Sequence, residues 1–229
     1  MCTALSSRCV ASLVWLRRAL VLGALTTLCV TLQAWDAERM LESARRFGPR
    51  AVQGVQMLQP MLAGLSGAED MTRLDAVNRF VNQQIVFLDD QEVWHTADYW
   101  ASPLETLNRG MGDCEDFAIA KYFSLLGAGL AASRMRLVYV RLQAGGSTGM
   151  SQPHMVLAYY ASPQAEPLIL DNLVTEIRPA SRRPDLTPVF SFNSDGLWQG
   201  TGAQSAGDPL ARLSRWREVL LKARAEGFL

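Results

Sequence analysis

The chain has 229 residues, 22 basic and 22 acidic side chains and four cysteines. Its charge balance excludes the strongly basic footprint of a nucleic-acid binder. It is long enough for one domain with a sizeable core, and it shows no internal repeat, heptad run or second long apolar span.

The first acid is Asp36. Ahead of it stand Arg8, Arg17 and Arg18, the apolar run 19–32, and Gln33-Ala34. A basic start, a short apolar stretch and a small final residue predict a secretory signal over residues 1–34. The 14-residue run falls short of the roughly 20 residues of a spanning helix, and an uncleaved N-terminal anchor is the alternative. Cleavage leaves a single domain over 35–229 with 19 basic and 22 acidic side chains, a net charge of −3. Cys2, Cys9 and Cys29 leave with the signal, so Cys114 stays as a lone thiol in an oxidising compartment, a liability unless buried or used.

Residues 36–46 predict a short helix ended by Gly48-Pro49. Residues 69–85 predict another, with Met71, Leu74, Val77, Val81 and Ile85 as its apolar stripe. Residues 87–100 are irregular. Ser102-Pro103-Leu104-Glu105 is a helix start with a cap, an N1 proline and an acid at N3. After Gly110 and Gly112 a second start follows: Asp113 as cap, Cys114 at N1 and Asp116 at N3. The helix 114–126 is apolar nearly all round and is expected to be central. Strands are expected over 136–142, 154–160 and 167–172, with further pieces at 174–178 and 189–192. The polar stretch 199–207 reads as a linker, and a last helix is expected over about 208–225. Helices followed by an antiparallel sheet make an α+β fold.

Position N1 favours a thiolate through the positive end of the helix. The flanking carboxylates of Asp113, Glu115 and Asp116 oppose it, so a positive group is needed to offset them. Of two histidines, His95 reads as a loop residue and His154 as the base. A hairpin turning near Ser162-Pro163 has a pairing sum of 325, which sets His154 opposite Asp171. Nucleophile, base and orienter then follow in chain order. Trp94 and Trp100 are candidates to line the cleft, and Trp198 and Trp216 to dock a partner.

The stretches 98–103 (DYWASP), 112–122 (GDCEDFAIAKY), 154–160 (HMVLAYY) and 170–173 (LDNL), with 179–181 and 191–193, resemble the bacterial transglutaminase-like cysteine proteinases of the LapG type. The likeness spans about 36–198. It implies a papain-like or transglutaminase-like fold, with N-terminal helices and a central catalytic helix packed on an antiparallel sheet. It implies a calcium-requiring periplasmic endoprotease that clips the N-terminal region of a large surface adhesin and so loosens a biofilm. A cyclic di-GMP-sensing inner-membrane receptor would sequester it through its periplasmic domain. Carried over, Cys114 is the nucleophile, His154 the general base, Asp171 the orienter, and Asp113 and Glu115 the calcium-linked acids, with Asp116 as a further candidate. The alternatives are a transglutaminase or amidase using the same triad, and a calcium-dependent binding protein without catalysis.

Overall fold

The computed structural model describes residues 35–143 and 149–229. The expected signal over 1–34 and most of the glycine-rich loop 145–149 lie outside them. Helix α1 (Ala37–Phe47) is capped by Asp36, whose side chain accepts from the Arg39 N–H at 3.0 Å. Pro49 does not end the helical region, as expected from sequence, but opens α2 (Pro49–Gly64) as its N1 residue. Pro60 inside α2 concealed this helix from a reading of its pattern. Helix α3 (Asp70–Gln84) buries Leu74, Val77 and Val81, while Met71 of the expected stripe is exposed.

Short pieces follow. Strand β1 (Val86–Phe87) and one helical turn α4 (Asp90–Val93) precede α5 (Pro103–Arg109). Helix α5 begins with a complete capping box between Ser102 and Glu105 and ends on Gly110, whose φ of 61° suits glycine. Strand β2 (Met111–Gly112) pairs parallel with β1 and feeds directly into α6 (Cys114–Gly127). Helix α6 has no polar face: Phe117, Ile119, Tyr122, Phe123 and Leu125 are all buried. Each such side chain is worth about 1.5–3 kcal/mol of burial, so packing fixes the helix and the position of its first residue.

The sheet is antiparallel throughout. Its strands are β3 (Met135–Gln143), β4 (Ser151–Tyr159), β5 (Leu168–Leu170), β6 (Arg178–Pro179), β7 (Leu186–Phe192), β8 (Leu197–Gln199) and β9 (Ser205–Gly207). They lie in the order β6-β5-β4-β3-β7-β8-β9. Residues Met135, Leu137, Met155 and Leu157 face the helices, and Val138, Val140, Val156 and Ala158 form a second, smaller cluster on the other face. This is the expected α+β architecture, with α6 between helices and sheet.

Several details differ from expectation. Residues 174–177 form a loop rather than a strand, because α3 holds them instead: Asn78 donates to the Thr175 carbonyl at 2.7 Å. The supposed linker 199–207 contributes β9 to the sheet. The last helix is broken at Leu213 (ψ 86°) into α7 (Pro209–Arg212) and α8 (Ser214–Ala225). Trp216 is wholly buried against Tyr122, Phe123 and Phe192, and so offers no docking surface. Trp198 lies under the Arg136 guanidinium, 3.8 Å from its ring centre.

Candidate active site

Cys114 is the first residue of α6, and its N-cap position is held by Asp113. The thiol is half-buried, 3.0 Å from the Glu115 Oε2, and the backbone N–H of Met155, the residue after His154, lies toward it. Burial raises the thiol well above the usual cysteine range, and Glu115 and Asp113 raise it further; the Met155 N–H pulls the other way.

His154 lies on β4 and is buried. Its Nε2 is 2.8 Å from Asp171 Oδ1. The β4–β5 register pairs Leu157 with Leu170 and Tyr159 with Leu168, so the pairing sum is 327, not 325. Extended by one residue, it sets Asp171 opposite Val156 and diagonal to His154. A shift of two keeps every side chain on its face, which is why the pair still meets.

Asp171 is gripped from all sides. Its carboxylate accepts from His154, from the Leu173 N–H at 3.1 Å and from Arg183 Nη2 at 2.7 Å. Its carbonyl accepts from Lys121 Nζ at 2.9 Å and Asn82 Nδ2 at 3.1 Å. Burial pushes this carboxyl up, but His154, Leu173 and Arg183 outweigh it and hold it at about 2. Asp185 in turn binds Arg183 through both oxygens. Nothing in the sequence pattern marks Arg183, Lys121 and Asn82 as site residues. A basic side chain becomes informative only when burial is known, and both Arg183 and Lys121 are buried.

Around the start of α6 the acids converge. Asp90, Asp113 and Asp116 can each place a ligand atom within 4.8 Å of the others, as can Asp113, Cys114 and Glu115, and Asp90, Asp98 and Glu115. Asp113 occupies the cap position without making the cap hydrogen bond. Asp90 Oδ1, Asp113 Oδ1 and Asp116 Oδ2 are buried without a hydrogen-bond partner. Burial, together with repulsion from Glu115, lifts Asp113 to about 10, and burial lifts Asp90 to about 6. Orphaned oxygens of this kind are costly and fit a hard cation, which takes several oxygen ligands. Asp116, Asp113 and Glu115 are thus joined by Asp90 and Asp98, which sequence alone did not place.

The two tryptophans expected in the cleft pack on other aromatics. Trp100 stacks on Phe192, and Trp94 packs on Tyr99. A groove of about 540 Å³ is lined by Tyr139, Arg141, Gln152 and Pro153 among others, on β3, β4 and β7. His95 is exposed, with φ 58°.

Residues 57–185 match the model of a family described as bacterial transglutaminase-like cysteine proteinase. The chain belongs to that family. Solved structures agree. The calcium-bound form of Legionella pneumophila LapG is 34% identical over 82% of this chain and 98% of that one, with a TM-score of 0.71. Its EGTA-treated form is 35% identical over 82% and 97%, with a TM-score of 0.72. No curated protein matches the chain. As a member of the transglutaminase-like cysteine proteinases it is a peptidase by descent, and the helix-plus-sheet fold is theirs. Among the described residues, no helix is long and apolar enough to cross a membrane.

Proposed function

We propose that this protein is a calcium-dependent periplasmic cysteine endoprotease. In this reading it cleaves the N-terminal region of a large surface adhesin, and its release of the adhesin promotes biofilm dispersal. A cyclic di-GMP-sensing receptor of the inner membrane restrains it. Family membership and the LapG-like stretches around Cys114, His154 and Asp171 support the substrate and the partner. The observation that carries the chemistry is the free thiol at the first turn of a buried helix, packed against the strand that carries a histidine paired with a buried aspartate.

Nε2 of His154 is taken by Asp171, which leaves Nδ1 as the nitrogen available to the thiol. Cys114 gives its proton to that nitrogen and attacks the peptide carbonyl carbon. His154 passes the proton to the leaving amine, and a thioester remains. Water, deprotonated by His154, then hydrolyses the thioester and frees Cys114. Asp171 holds the ring and balances the imidazolium. Asp113, Glu115, Asp116 and Asp90 are the residues that would hold calcium, and a bound cation would supply positive charge to offset the acids around the thiol.

The test is cleavage of an adhesin N-terminal fragment by the purified 35–229 protein, with calcium or EGTA, beside Cys114→Ala. The expected result is cleavage that needs both calcium and the thiol. Cleavage that survives EGTA would remove the metal from the reading and keep the triad. A γ-glutamyl product with a lysine donor would replace proteolysis by amide transfer. No reaction of Cys114 with iodoacetamide would favour a non-catalytic binding role.

A further inference from the structure

Helix α8 lies beyond residues 57–185 of the family match, yet its side chains hold the segment that borders the acidic cluster. Arg215 pairs with Asp98 at 3.1 Å. Lys222 Nζ donates to the Tyr99 hydroxyl at 3.0 Å, the Trp100 carbonyl at 3.3 Å and Glu105 Oε2 at 2.7 Å. Just past the helix, the buried carboxylate of Glu226 accepts from the Ser102 hydroxyl and from the Leu104 N–H at 3.1 Å. The segment so held has no regular structure between Trp94 and Ser102. Left to itself it would sample many conformations, at a cost of about 1–2 kcal/mol per residue to order.

The same segment turns its backbone N–H groups to the acids. The Tyr99 N–H donates to Asp90 Oδ2, and the Ala101 N–H donates to Asp116 Oδ1 at 2.8 Å. These two carboxylates are the most deeply buried of the cluster, and each keeps its second oxygen without a partner. One oxygen is thus fixed by the segment and the other is free for a ligand. That is how outer groups orient metal-binding carboxylates.

We propose that Lys222 and Glu226 are positioning residues for the cation site, with the C-terminal helix acting as a clasp. By fixing segment 98–105 from one side, the clasp sets where the Tyr99 and Ala101 N–H groups aim Asp90 and Asp116 on the other. The proposal rests on the calcium reading above. Exposed ion pairs contribute little, but Lys222 makes three half-buried contacts at once and sits 4.4 Å from the Tyr99 ring centre.

The test uses Lys222→Met, Lys222→Arg and the double variant Lys222→Met/Glu105→Gln. The double variant strands no carboxylate, and glutamine preserves the capping box. Calcium affinity is read by calorimetry, and amide exchange at Tyr99 and Ala101 is read in EDTA. Lys222→Met and the double variant are expected to bind calcium about tenfold more weakly. They should exchange faster at both amides and regain kcat at saturating calcium, while Lys222→Arg restores most of the affinity. Unaltered calcium affinity in both methionine variants, with or without faster exchange, would overturn the proposal. If the wild-type protein binds no calcium, the calcium reading falls by itself. Exchange then decides the clasp: faster exchange keeps it as the positioner of Asp90 and Asp116, and unchanged exchange overturns it.

Discussion

Cys114 is surrounded by groups that oppose its ionisation. Burial, Glu115 and Asp113 all favour the thiol, and the Met155 N–H alone among its close contacts favours the thiolate. Among the hydrogen bonds of the described residues, the thiol has none to His154. A thiol of this kind becomes a nucleophile only when the carboxylates are offset and the imidazole is brought to bear, and apo geometry of catalytic pairs is often loose. Cys114→Ala should abolish cleavage without lowering Tm, and Asp171→Asn should lower kcat/KM by roughly 10³-fold or more. Arg183 is a different case, because among the described residues its side-chain hydrogen bonds go only to Asp171 and Asp185. Arg183→Gln leaves the wholly buried Asp171 carboxylate short of its permanently charged partner, and should cost about 3 kcal/mol in urea unfolding. Cys114 at the start of α6 and the pairing of His154 with Asp171 were legible in the sequence, because one thiol outside the expected signal and two histidines leave few assignments. Arg183, Lys121 and Asn82 were not, because their roles depend on burial and on contacts 12, 50 and 89 residues away from Asp171.

The element that matters most is α6 with the turn that feeds it. Its start was readable from Gly112-Asp113-Cys114, and its burial from its uniform apolar surface. Gly112 also has a packing reason: a Cβ there would lie 2.5 Å from Asp116 Oδ2 and 2.8 Å from Asp116 Cβ. Gly112→Ala should therefore cost about 1–3 kcal/mol in thermal unfolding and weaken calcium binding by displacing Asp116. The acids give a pH signature. Burial raises Asp90 to about 6, above the 3.8 of an ordinary aspartate. A raised carboxyl stabilises the metal-free fold below about 3.8, and that contribution is lost as pH rises through 6. Asp171, held at about 2, acts in the opposite sense, but only at pH below 3.8. In EDTA, Tm should fall between about pH 5 and 7, and the rise in Tm on adding calcium should be larger at the upper pH. A calcium response that shrinks with rising pH would contradict the assignment of these acids. Elements whose pattern was interrupted were harder to read: Pro60 hid α2, and the β4–β5 register depended on a turn whose centre the sequence does not fix.

Across the whole molecule, one face of the sheet carries the helices, and the site lies where α6 begins against β4. The order of helices then strands made the α+β class legible. The reach of the C-terminal region did not show. Trp216 and Phe228 complete the core around Phe123, and Glu226 and Lys222 hold the segment beside the acids, contacts between residues far apart in the chain. Truncation after Leu213 should therefore unfold the domain rather than trim it, with loss of a cooperative transition in circular dichroism. Cys114 and the converging acids share one helix start, so in the proposed function a bound cation governs the thiol. The most direct measurement is the rate of Cys114 alkylation by iodoacetamide against pH, followed by intact mass, in calcium and in EGTA. Alkylation near neutral pH in calcium should slow by an order of magnitude or more in EGTA or in His154→Ala. Equal rates in calcium and EGTA would contradict control of the thiol by the cation.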